Sequence, residues 1–178
     1  MMTTNGVARK ASVNRVTIEQ LELACRHVQE LRAVGVTENQ AIRLLEHFTD
    51  LYAHLHKGGS ASPYRASRIP YPQWSVAAKK LKRKNPDIKA AGNLVVEHGT
   101  PRRPFARKVI ELYQNKNLNE NEMAKLVKRY WQLAVVTKQE DQVLNSRFRT
   151  VFFSSPKKRW DAGGIKFDKS TVREKISN

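Results

Sequence analysis

The sequence predicts a mostly helical α+β fold. An N-terminal αα-hairpin is followed by a basic domain with a small two-stranded ββα-like element. Three observations predict it. Apolar residues recur at helical spacing through most of the chain. Two short runs, Leu94-Val95-Val96 and Leu133-Ala134-Val135-Val136, are β-branched and bounded by turn residues, as strands are. Ser, Thr or Asn stands before several amphipathic stretches with Glu or Gln three residues on, the pattern that starts a helix. The expected boundaries are a flexible arm over 1–16, a helical hairpin over 17–57, the basic domain with a helical insertion over 58–168, and a disordered tail over 169–178.

Thr17 to Gln20 reads as a capping box, and Leu21, Ala24, Val28 and Leu31 follow on one helix face. Thr37 to Gln40 reads as a second box, followed by a stripe of Ala41, Leu44, Leu45, Phe48, Leu51, Tyr52 and Leu55 that Gly58-Gly59 ends. Two helices joined by a few residues form a hairpin. This pair offers either core or a surface for a second copy or another protein, through residues 17–56. His47, His54 and His56 lack the spacing of a zinc site and are expected in solvent. A connector rich in Pro, Tyr and Arg leads to a short helix over 75–84, which carries Lys79, Lys80, Lys82, Arg83 and Lys84. Pro104 suits the first turn of a further helix, with Phe105, Val109, Leu112 and Tyr113 inside. Another runs from Asn119 with Met123, Leu126 and Val127 inside. After the second strand, Thr137 to Glu140 is a third capping box. The helix it starts places Asp141 and Asn145 on one face, with Val143 and Leu144 on its apolar side.

Charge narrows the partner. The net charge is +17. Residues 1–60 hold 7 basic and 6 acidic residues, so the remaining 26 and 10 put nearly all of the excess beyond residue 60. Such an imbalance points to a polyanion, and nucleic acid is expected, DNA ahead of RNA. Lys79 to Lys84, Arg102, Arg103, and Lys157-Lys158-Arg159 are the expected phosphate contacts. No apolar run is long enough to span a membrane, and residues 1–14 lack an apolar signal core, so a cytoplasmic location is expected. The single cysteine, Cys25, lies in an apolar stretch and is expected in the core.

The first strand ends in Glu97-His98, and Gly99-Thr100-Pro101 stops it. An acid and a histidine at a strand end are candidates for acid–base or metal chemistry. A strand ending in Glu-His followed by Pro, then Leu133-Ala134-Val135-Val136-Thr137 and a helix bearing Asp141 and Asn145, resembles the HNH, or His-Me finger, nucleases. The resemblance covers 93–101 and 131–146. It implies a metal-dependent endonuclease that hydrolyses DNA phosphodiesters. His98 would be the general base, Glu97, Asp141 and Asn145 the ligands of Mg²⁺ or Mn²⁺, and Arg102 and Arg103 the clamps on flanking phosphates. The chain departs from that pattern: its last helix carries Asp141 and Asn145 where the family often has a metal-binding His, and there is no Cys-x-x-Cys zinc support. No Asn precedes the second strand, and 43 residues separate His98 from Asp141. The alternative is a non-catalytic nucleic-acid binder, an accessory or inhibitor protein of phage or mobile-element type on a degenerate nuclease scaffold.

Overall fold

The structure is a computed structural model that describes residues 16–59, 73–85 and 93–168. The expected arm up to residue 15, the aromatic connector at 63–72, the approach to the first strand at 90–92 and the tail at 169–178 lie outside the described residues.

Helix α1 (Ile18–Ala33) begins where the capping box predicts. The Thr17 hydroxyl accepts from the Gln20 amide, and the Gln20 side chain accepts from the Thr17 amide. The second box does not form. Thr37 precedes the one-turn helix α2 (Glu38–Ala41), but its hydroxyl donates to Gln40 Oε1 at 2.8 Å and caps no amide. Helix α3 (Arg43–His56) follows. Its buried side is rotated from the expected stripe: Leu45, Thr49, Asp50, Ala53 and His54 are inside, whereas Leu44 is 45% exposed. His54 is therefore not a solvated histidine; its ring lies 6.0 Å from that of Trp131. Polar residues face inward here because the interior offers them partners.

Helices α5 (Arg102–Gln114) and α6 (Glu120–Tyr130) complete the helical body. Phe105, Val109, Met123 and Val127 share one core with Leu21, Cys25, Leu45 and Ala53. The boundary drawn at 57–58 thus does not divide two cores. The inner face of the hairpin belongs to the domain itself; Leu23, Val34 and Leu44 are exposed on its outer side.

Among the described residues the sheet has three strands where two were expected. They are β1 (Gln73–Trp74), β2 (Leu94–His98) and β3 (Leu133–Thr137), in the order β1-β3-β2. β2 runs antiparallel to β3, with Val96 opposite Val135 and His98 opposite Leu133; β1 runs parallel to β3. A two-residue strand is too short to reveal an alternation in sequence. Helix α4 (Val76–Lys84) follows β1, and α7 (Lys138–Phe148) follows β3 directly through the Thr137–Glu140 capping box. Ser75 ties these two helix starts together. Its hydroxyl accepts from the Ala78 amide and donates to Glu140 Oε2 at 2.7 Å.

Side chains alternate across a strand. Along β2, Leu94 and Val96 pack toward α4 and the helical body, and Val95 packs toward Ala134, Leu144 and Trp160. Leu144 of α7 and Trp160 of α8 (Pro156–Ala162) cover that second face. Val143, expected on the apolar side, is 37% exposed, because Leu144 alone of this helix is buried. Among the described residues, no helix is long and apolar enough to cross a membrane.

Candidate functional site

The same alternation splits Glu97 from His98. Glu97 turns to the face covered by α7 and α8, and His98 turns to the helical body. His98 Nε2 lies 2.9 Å from Asp50 Oδ1 of α3, and the indole N–H of Trp131 donates to that same oxygen at 2.9 Å. Asp50 is buried. An indole N–H is a donor only, so Asp50 Oδ1 is an acceptor toward Trp131. The Trp131 and His98 rings also meet in a T-shaped approach, centroids 6.3 Å apart.

On the opposite face, Glu97 meets Asp141 and Arg159. Arg159 is fully buried; its Nη1 donates to Glu97 Oε1 at 2.8 Å and to the His98 carbonyl at 2.7 Å. This placement corrects one expectation. Arg159 follows two exposed lysines in sequence, but it is an interior clamp on the end of β2 and cannot touch a polyanion at the surface. Among the described residues, its Nε and Nη2 have no hydrogen-bond partner. Gly99 is what lets α8 come so close: a Cβ there would sit 2.3 Å from Pro156 Cβ and 2.8 Å from Trp160 Cζ2.

Asp141 and Asn145 stand one turn apart on α7, and Asn145 Nδ2 donates to Asp141 Oδ1 at 2.9 Å. Burial pushes the Asp141 carboxyl up to about 6, and the charge of Glu97 and a hydrogen bond to it push the same way; Arg159 and the Asn145 amide pull against them. A carboxyl taken out of water beside another carboxylate favours its protonated form. No family model, no curated protein and no solved structure matches the chain. The chemistry therefore rests on this geometry.

A cleft of about 580 Å³ opens at the end of β2. Glu97, His98 and Asn145 line it together with Arg102, Arg103 and Arg149. Arg102 and Arg149 are exposed, one at the start of α5 and one just past α7. Arg103 is held: its Nε pairs with Glu46 of α3, which also lines the cleft, and its Nη1 donates to Asn39. The donor set on the α7 side is two carboxylates and an amide oxygen. Hard oxygen donors of this kind suit Mg²⁺ or Mn²⁺. Among the described residues, no group of three or more His, Cys, Asp and Glu side chains converges as a metal site.

The other expected phosphate contacts lie apart from the cleft residues. Lys80, Lys82, Arg83 and Lys84 form an exposed edge of α4, while Lys79 is bridged to Asp168 at 3.0 Å. Lys157 and Lys158 are exposed, and Lys157 pairs with Asp161 at 2.6 Å. Sequence reasoning missed Asp50, Glu46 and Arg149. Only Asp50 left a signal: it falls on one helix face with His54, beside the Leu45–Thr49–Ala53 row.

Proposed function

We propose that the protein binds nucleic acid and hydrolyses phosphodiester bonds in the cleft at the end of β2. The observation that carries this reading is the meeting of Glu97 and Asp141 beside a cleft lined by His98 and three arginines. Hydrolysis requires a group that takes a proton from water as its oxygen bonds to phosphorus and the P–O bond to the leaving group breaks. An imidazole nitrogen can accept that proton, and His98 is assigned that role. Arg102 and Arg149 hold the phosphates on either side, since guanidinium pairs with phosphate in two-pronged fashion. Glu97, Asp141 and Asn145 would hold a divalent cation, which supplies positive charge against the developing negative charge on the phosphate oxygens. The crowding that raises the Asp141 carboxyl supports the fit, because a divalent cation held by these residues would offset it.

A second reading has an observation of its own. Arg159 already neutralises Glu97 from within. On that reading the strand end is a structural ion pair, and the protein binds nucleic acid without cutting it.

Supercoiled plasmid incubated with the protein and Mg²⁺ or Mn²⁺ separates the two. Nicking by the wild type, lost by at least about 100-fold in His98→Ala while DNA binding persists, supports cleavage. Equal inertness of both proteins with binding retained supports the second reading.

A further inference from the structure

We infer that Asp50, carried by the helical hairpin, is the positioning residue for His98: it fixes the orientation of the imidazole and the ring nitrogen that bears the proton. The inference deepens the cleavage reading and rests on it for its consequence, though its structural content stands apart. Four observations carry it. Asp50 is 3% exposed, on the buried face of α3 with Leu45, Thr49, Ala53 and His54. Its Oδ1 serves two rings at once, at 2.9 Å from each. One of those rings is an indole, which donates only. And His98, 13% exposed at its side chain, is the member of this group that reaches the cleft.

The tautomer follows from the shared oxygen. A carboxylate oxygen that accepts from the Trp131 N–H accepts equally from an Nε2–H of His98. In the neutral imidazole the proton then sits on Nε2 and the basic lone pair on Nδ1. A ring held at Nε2 by a buried carboxylate keeps one orientation, so its other nitrogen needs no reorganisation to meet a water. The same logic describes a buried aspartate behind a catalytic histidine in hydrolases on unrelated folds. Trp131 has a part of its own. By donating to Oδ1 it holds the carboxylate in one rotamer and shields it from water. The N-terminal hairpin therefore completes the site chemically, beyond filling the core.

The test uses the full chain labelled with ¹⁵N. Long-range ¹H–¹⁵N spectra report the tautomer of each histidine, and His98 is assigned by its disappearance in His98→Gln. In the wild type, above the titration of the ring, the expected proton is on Nε2; a proton on Nδ1 overturns the inference. In Asp50→Ala, folded by circular dichroism, the expected result is a mixture of tautomers; an unchanged Nε2–H signature overturns it. Should that variant fail to fold, Asp50→Asn keeps the shape and one acceptor oxygen but removes the charge. There the expected result is a fall in kcat of about 100-fold with KM within about twofold; an unchanged kcat overturns the inference. If the wild type cuts no DNA, the cleavage reading fails by itself, and the wild-type tautomer still decides the role of Asp50.

Discussion

Asp141→Asn should make the protein more stable at neutral pH. The Asp141 carboxyl is pushed from 3.8 up to about 6, first by burial and then by Glu97. The folded chain holds this proton more tightly than the unfolded chain does. Folding is therefore favoured while the carboxyl is protonated, and that advantage is lost as pH rises from 3.8 to about 6 and stays lost above it. At about 1.36 kcal/mol per tenfold change, the full displacement corresponds to about 3 kcal/mol. Asp141 is only half-buried, and water screens the interaction, so about 1 kcal/mol is expected. The amide cannot ionise, yet it can still accept from Asn145 and donate to Glu97. Urea unfolding at several pH values is the assay. The variant should match the wild type near pH 4 and exceed it by about 1 kcal/mol at pH 7.5. Equal destabilisation at both pH values would refute the reasoning, since it would mean that Asp141 is a favourable contact and carries no strain.

Arg159→Met should lower stability by about 3 kcal/mol in the same assay, because it leaves Glu97 and the His98 carbonyl without their buried donor; a loss under about 1 kcal/mol would mean that Arg159 is not the clamp described. Glu46→Gln should tighten DNA binding, because Glu46 occupies Arg103 in the cleft. Its slope of log affinity against log salt should steepen by about 0.9, and an unchanged slope would place Arg103 outside the binding surface. Changing Lys80, Lys82, Arg83 and Lys84 together to Gln should flatten that slope by about 0.9 for each side chain that meets a phosphate, with fluorescence anisotropy as the readout. No change there would exclude the α4 edge.

Local signals made much of the fold legible. Thr17, Ser75, Asn119 and Thr137 all cap the helices that follow them. The β-branched runs became β2 and β3 in register. Thr37 shows where such signals stop: its pattern matches a capping box, but its hydroxyl bonds to the Gln40 side chain. The candidate site was legible where side-chain chemistry coincides with strand period, at Glu97 and His98, or with helix period, at Asp141 and Asn145. It was not legible where a partner comes from far along the chain. Asp50 is 48 residues from His98, and its place beside the apolar row of α3 does not say which partner meets it. Arg159 is 61 residues beyond His98 and sits in a basic run that reads as surface. Periodicity assigns a residue to a face of its own element, but which element will cover that face is decided by packing.

The account turns on whether the Glu97–Asp141 pair is a cation site. Crystals grown with Mn²⁺ test that most directly, because its anomalous signal locates the ion without reference to activity. The account predicts a peak bonded to oxygens of Glu97 and Asp141. Contradiction would be a map with Arg159 still on Glu97 and no peak at the pair, in crystals where the cleft is open to solvent.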